Sequence, residues 1–140
     1  MATYFTDRDL GKRFPEVLAA ARVSVEAHHR HFAPDAPDDE WIPVVAQRGW
    51  IAVTHNRRIR YTPNELAAVF DSGLGLLTQI GQTTTLELAR NFVRTHYHIE
   101  LFVASRQAPY IAKVYRASPR DVERNPGAGG RIELWKDSYP

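Results

Sequence analysis

An α/β fold with a mostly parallel central sheet, covered by helices on both faces, is what this sequence predicts, on three observations. Short β-prone runs alternate with helix-patterned segments along the chain, which calls for right-handed crossovers and parallel strands. Trp50-Ile51-Ala52-Val53-Thr54 is apolar almost throughout, as a strand buried on both faces must be. Gly49 and Gly73 stand where helices must stop.

The elements follow in order. Thr3-Tyr4-Phe5-Thr6 is a β-prone run that ends at Asp7, and 15–21 reads as a helix with Pro15 near its first turn. Val23 to Ala27 alternates with period two, and the polar stretch 28–37 after it reads as a loop. Asp38 to Gln47 is a helix that accommodates Pro43 in its first turn. After the central strand, Thr62, Pro63 and Glu65 form a capping-box pattern opening a helix over 64–70. Leu74 to Ile80 supplies a fourth strand, and an amphipathic helix runs from Thr84 or Thr85 to about His98. Tyr110 to Tyr115 and Arg131 to Trp135 are late strands on either side of a Pro- and Gly-rich turn, so residues 117–140 form an edge hairpin or a tail.

At 140 residues the chain fits a single domain, 1–140, too short for a catalytic domain with a separate lid, and it shows no internal repeat. No window resembles a membrane span and the first residues lack a secretory pattern, so a cytoplasmic protein is expected. Cysteine is absent, which excludes disulfides and thiolate ligation and makes a hard cation on oxygen or histidine the expected metal. A net charge of +2 does not by itself announce nucleic-acid binding. Its distribution says more: Arg57, Arg58 and Arg60 crowd one stretch, and Asp35, Asp38, Asp39 and Glu40 another.

Ligands of open parallel sheets bind beyond the carboxyl ends of the strands, where strand order reverses. Asp7 and Asn56 stand at such ends and Asp38 at a helix start, so three oxygen-bearing side chains from distant sequence converge there. Clustered carboxylates repel one another unless a cation neutralises them, which points to Mg²⁺ or Mn²⁺. A metal in that position suits phosphodiester hydrolysis, with Arg57, Arg58 or Arg60 holding flanking phosphates. Each residue also has a plain structural reading. Asp7 and Asp9 can cap turns, Asp38 can be an N-cap, and Asp39 and Glu40 suit the positive end of a helix dipole. Glu65 fits its capping box better than a catalytic role, the histidines 28, 29 and 31 match no usual zinc spacing and read as a solvated loop, and Trp41 and Trp50 read as core.

Three segments, Phe5-Thr6-Asp7-Arg8-Asp9-Leu10-Gly11, Pro37-Asp38-Asp39-Glu40-Trp41-Ile42 and Arg48 through Arg60, together resemble the PIN-like toxins of VapBC-type toxin–antitoxin systems over residues 3 to about 70. The resemblance implies a three-layer α/β/α PIN-like fold and a Mg²⁺- or Mn²⁺-dependent endoribonuclease. It makes Asp7 the strand-one carboxylate and Asp38 the helix-start carboxylate; beside these, Asp9 and Asn56 are the further candidate metal ligands and Glu40 and Glu65 the candidate supporting acids. It further implies RNA and a cognate antitoxin as partners, and a homodimer. One position departs: where the family pattern is Thr-x-Asp, this chain reads Thr54-His55-Asn56, which removes a carboxylate and weakens metal binding, whether the change is natural or an inactivating substitution. That departure motivates an alternative, a non-catalytic RNA- or protein-binding module. Asp7-Arg8-Asp9 after a strand suggests a weaker one, an aspartate-nucleophile phosphatase, which Lys12, Lys113 and Lys136 are poorly placed to serve.

Overall fold

The computed structural model describes residues 1–139. One six-stranded sheet has the order β2-β1-β3-β4-β5-β6, built from β1 (Tyr4–Thr6), β2 (Val25–Ala27), β3 (Ile51–Thr54), β4 (Gly75–Gln79), β5 (Tyr110–Tyr115) and β6 (Arg131–Lys136). Every pairing is parallel except β5 with β6. Among the described residues there are six α-helices, α1 (Arg13–Ala20), α2 (Asp38–Gln47), α3 (Arg58–Tyr61), α4 (Pro63–Ser72), α5 (Thr85–Ser105) and α6 (Pro119–Arg124), and two 3₁₀ turns, Arg8–Leu10 and His28–Arg30. The expected three-layer α/β/α arrangement is therefore what the chain adopts. No helix among the described residues is long and apolar enough to cross a membrane.

Strand alternation divides the core in two. Tyr4, Val53, Leu77 and Ala112 face α1 and α5, where they pack with Phe14, Leu18, Leu88 and Phe92. Phe5, Ala52, Leu76 and Ile111 face the other way and pack with Trp41, Ile42, Val45, Ile59, Leu66 and Val69 of α2, α3 and α4. Both faces of the central strands are dry, which is why β3 and β4 are apolar at successive rather than alternate positions. Phe5 and Asp7 share parity, so the strand that anchors the second core also sends the first carboxylate out at its end.

Several local expectations need correction. Pro43 is the sixth residue of α2, not part of its first turn; it sits on the exposed face. The capping box does not form: Thr62 makes no side-chain cap bond and Oε2 of Glu65 is buried without a partner. The unforeseen helix α3 explains this, because Thr62 closes α3, with its N–H on the Arg58 carbonyl, at the same residue where α4 begins. Helix α5 runs on to Ser105, well past His98. Of the two readings of the C-terminal segment the edge pair holds and the tail does not: β6 returns antiparallel to β5 at the edge of the sheet, with the unforeseen α6 in the connection. His28 is 2 % exposed, against its expected place in a solvated loop, in contact with the rings of Phe5 and Phe32.

Candidate active site

The strand order reverses at β1, which lies between β2 and β3: the chain goes outward to β2, then returns to build β3, β4 and β5 on the opposite side. A crevice at the carboxyl ends of β1 and β3 is the expected ligand position of such a sheet. Asp7 follows β1 directly, and Thr54, His55 and Asn56 form and follow the end of β3.

Asp7 is 2 % exposed. Its Oδ1 accepts the Arg8 amide at 2.7 Å and its Oδ2 accepts the Thr54 hydroxyl at 2.9 Å. One side chain therefore both caps the turn after β1 and ties it to the end of β3. Burial, then the nearby charge of Asp9, push the Asp7 carboxyl up to about 7, against the lowering effect of Thr54. Asp9 lies in the single 3₁₀ turn Arg8–Leu10 and caps no helix. Its Oδ2 accepts the His55 amide at 3.0 Å and its Oδ1 lies 3.4 Å from the Thr54 hydroxyl. Although Asp9 as a residue is exposed, desolvation of the carboxyl raises it above the ordinary value, opposed chiefly by the His55 amide bond.

Asp38 is the first residue of α2 and not its N-cap, a place taken by Pro37. Its oxygens turn instead into the site: Oδ1 accepts Nε1–H of Trp41 at 3.0 Å and Oδ2 accepts the Asn56 amide nitrogen at 3.4 Å. Trp41 is thus core and positioning group at once. Asn56 is locked by its own turn, its Oδ1 accepting the Arg58 amide at 2.9 Å and its backbone N–H bonding the Thr54 hydroxyl at 3.0 Å. Arg8 places the approach to α2 by donating from one nitrogen to the carbonyls of Pro34, at 2.8 Å, and Ala36, at 2.6 Å.

Asp7, Asp9, Asp38 and Asn56 are linked through these bonds. Asp38 also contributes to the rise at Asp7 and Asp9. Glu40 is exposed and its side chain forms no hydrogen bond among the described residues, and Glu65 joins no bond to the carboxylates. Arg57 and Arg58 are exposed, but Arg60 is 6 % exposed. Thr54, Arg8 and Trp41 were missed as site residues. Thr54 alone had a visible signal, as the first residue of the Thr-x-Asp pattern.

The donor set fits a hard divalent cation in chemistry and charge: carboxylate and amide oxygens only, with mutual repulsion that a cation relieves. Among the described residues no three acidic or histidine side chains already stand in ligating geometry. The Asn56 side-chain amide bridges the turn after β3 to Asp38.

Comparison with known proteins gives one match, to the family described as PIN like domain, over residues 2–79, more than half of the chain. No curated protein and no solved structure matches it.

Proposed function

We infer that this chain, which belongs to the PIN-like domain family, is a metal-dependent endoribonuclease acting as a single domain. The observation that supports this best is the meeting of Asp7, Asp9 and Asp38 at the reversal of strand order, with a buried carboxyl raised to about 7. Asp9 and Asp38 both raise the Asp7 carboxyl, a repulsion that a cation would relieve. Asp7, Asp9 and Asp38 would hold Mg²⁺ or Mn²⁺, with the neutral carbonyl oxygen of Asn56 as a fourth donor. The ion, when bound, supplies Lewis acidity to a phosphate and to water.

The chain's own residues do the rest. Thr54 orients Asp7, Trp41 orients Asp38, and the His55 amide orients Asp9. Arg57 and Arg58, exposed beyond β3, meet the phosphate backbone of RNA. Within this reading the protein is cytoplasmic and is the toxin of a toxin–antitoxin pair. Its cleft is covered by the cognate antitoxin, and the domain pairs as a homodimer.

One observation favours a second reading, a non-catalytic RNA- or protein-binding module: the Asn56 amide donates to Asp38, occupying an acceptor that a cation would need. Purified protein and an Asn56→Asp variant, incubated with a mixed RNA pool in Mg²⁺, Mn²⁺ or EDTA, separate the two. Metal-dependent cleavage by the variant supports the ribonuclease reading. Failure of both versions to cut, with no divalent ion bound, leaves the binding module.

A further inference from the structure

Beside the carboxylates, towards β5, lies a cavity of about 320 Å³ whose wall includes His55, Arg57, Arg60, Tyr61 and Lys113. Its polar lining is cationic where the neighbouring cleft is anionic. Arg60 is 6 % exposed, its Nε is buried without a partner, and its guanidinium forms no ion pair among the described residues. A buried guanidinium without a carboxylate is unusual, because charge removed from water is normally returned a counter-charge. Its neighbours are rings instead: it lies 5.2 Å from the centre of Tyr61 and 6.0 Å from that of Trp135. Lys113, half-buried, approaches the same Trp135 ring at 5.8 Å and also lacks an ion pair among the described residues. Arg60, Lys113 and Lys136, the last 5.6 Å from the ring centre, are thus held against one indole; the carboxylate opposite Lys113 in the sheet, Glu133, is bonded to Arg131, so neither Arg60 nor Lys113 has an anionic partner among the described residues.

The cavity is joined to the acid cluster by named contacts. His55 gives its backbone N–H to Asp9, while its Nε2 donates to the Gly81 carbonyl at 2.8 Å on the cavity wall. In the sheet, Thr54 is paired with Thr78 and Thr78 with Lys113, so Lys113 stands two strands from the hydroxyl that holds Asp7. Two strand spacings are about 10 Å. A phosphate at the carboxylates is therefore out of reach of Lys113, whereas the next part of the same strand is not. Tyr61, 62 % exposed at the rim with Arg60 and Trp135 against its ring, leaves aromatic surface open of the kind on which bases of single strands stack.

We propose that this cavity binds the nucleotide flanking the scissile phosphodiester of single-stranded RNA, its phosphate on Arg60 and Lys113 and its base on Tyr61. The proposal rests on the ribonuclease reading for the identity of the ligand, but its test does not need cleavage. The full-length chain is titrated in EDTA against a labelled mixed-sequence RNA hexamer, followed by anisotropy at several salt concentrations. Lys113→Gln is expected to weaken binding roughly tenfold and to lower the salt slope by about one. Tyr61→Ala is expected to weaken it roughly tenfold with the slope unchanged. Lys12→Gln, an exposed lysine on α1's approach, should bind as the parent does. In competition, adenosine 5′-monophosphate should displace the hexamer better than inorganic phosphate.

Binding by Lys113→Gln and Tyr61→Ala within twofold of the parent overturns the proposal. So does an equal loss in Lys12→Gln, or equal competition by inorganic phosphate. If Asn56→Asp fails to cleave RNA while Lys113→Gln and Tyr61→Ala still weaken binding as described, the ribonuclease reading falls and the nucleotide site stands. If Asn56→Asp cleaves and both cavity variants bind normally, the site alone is refuted.

Discussion

The hydroxyl of Thr54 lies 2.9 Å from Oδ2 of Asp7, and its single proton goes there in preference to Asp9, 3.4 Å away. The same oxygen accepts the Asn56 amide N–H, so one hydroxyl ties the end of β1 to the turn after β3. Thr54→Val keeps the β-branched shape and removes all of this. A buried carboxylate oxygen and an amide N–H then lose their partner, a cost of about 1–3 kcal/mol. Thermal melting should show a drop of several degrees with the fold retained. Removing such an orienting partner typically weakens a metal site about 10- to 100-fold. A Mn²⁺ titration of Thr54→Val beside the parent checks this.

Because the Asp7 carboxyl is raised in the folded protein from 3.8 to about 7, the folded state holds a proton that the unfolded state has released between those values. The associated stability is fully present below about pH 4 and is lost as pH rises through 7. Its size is on the order of 4 kcal/mol. Asp7→Asn cannot ionise, so it should melt as the parent does at pH 4 and several degrees higher at pH 8. Added Mg²⁺ should raise the melting point of the parent at pH 8 and leave Asp7→Asn where it was. A parent whose melting point rises steadily from pH 4 to pH 8 would contradict the assignment.

Trp41 separates packing from positioning. Its ring is fully buried against Phe5, 5.1 Å between centroids, while Nε1–H holds Asp38 at 3.0 Å. Trp41→Phe leaves most of the apolar contact but frees the Asp38 carboxylate and a void beside it. We expect a loss of about 1–3 kcal/mol in stability. Mn²⁺ affinity should fall as well. Ile42→Val, a core trim of similar kind on the same helix, should cost stability and leave Mn²⁺ affinity unchanged.

Asp7, Asp38 and Asn56 were legible in the sequence because each stands at a break in pattern: an apolar strand that ends on a carboxylate or amide, or a helix that begins on one. The α/β class was legible for the same reason, since strands buried on both faces lose the alternation of exposed sheets. What surrounds those residues was not. Arg8 reaches the carbonyls of Pro34 and Ala36, and the His55 amide reaches Asp9, through contacts that exist only once β2 and β3 lie on either side of β1. Helix α3 is four residues long, below the length at which periodicity means anything, and by ending at Thr62 it overrides the capping box. Arg60 is the cost of that omission: read as one of three arginines in a turn, it is the one the short helix turns inward beside Ile59.

The closing edge of the sheet depends on Gly130. It precedes β6, and its amide donates to the Thr95 hydroxyl at 2.8 Å, which itself donates to the Asn91 carbonyl inside α5. A Cβ at this position would run into the carbonyl of Tyr115, the last residue of β5, and neither strand has a flexible side chain there to move aside. Gly130→Ala must therefore shift backbone, pulling β6 off β5 and breaking the bond to α5. We expect a loss of about 3 kcal/mol or more, as for other forced backbone movements in a packed edge. Trp135 sits on β6 beside Lys113 and Arg60, so the same variant should loosen the cationic cavity while leaving the carboxylates at β1 and β3 in place. Hydrogen exchange resolves the two regions. Amides of 110–115 and 131–136 should lose protection in Gly130→Ala, those of 4–6 and 51–54 should keep theirs, and uniform loss would show that the edge pair and the site unfold as one unit.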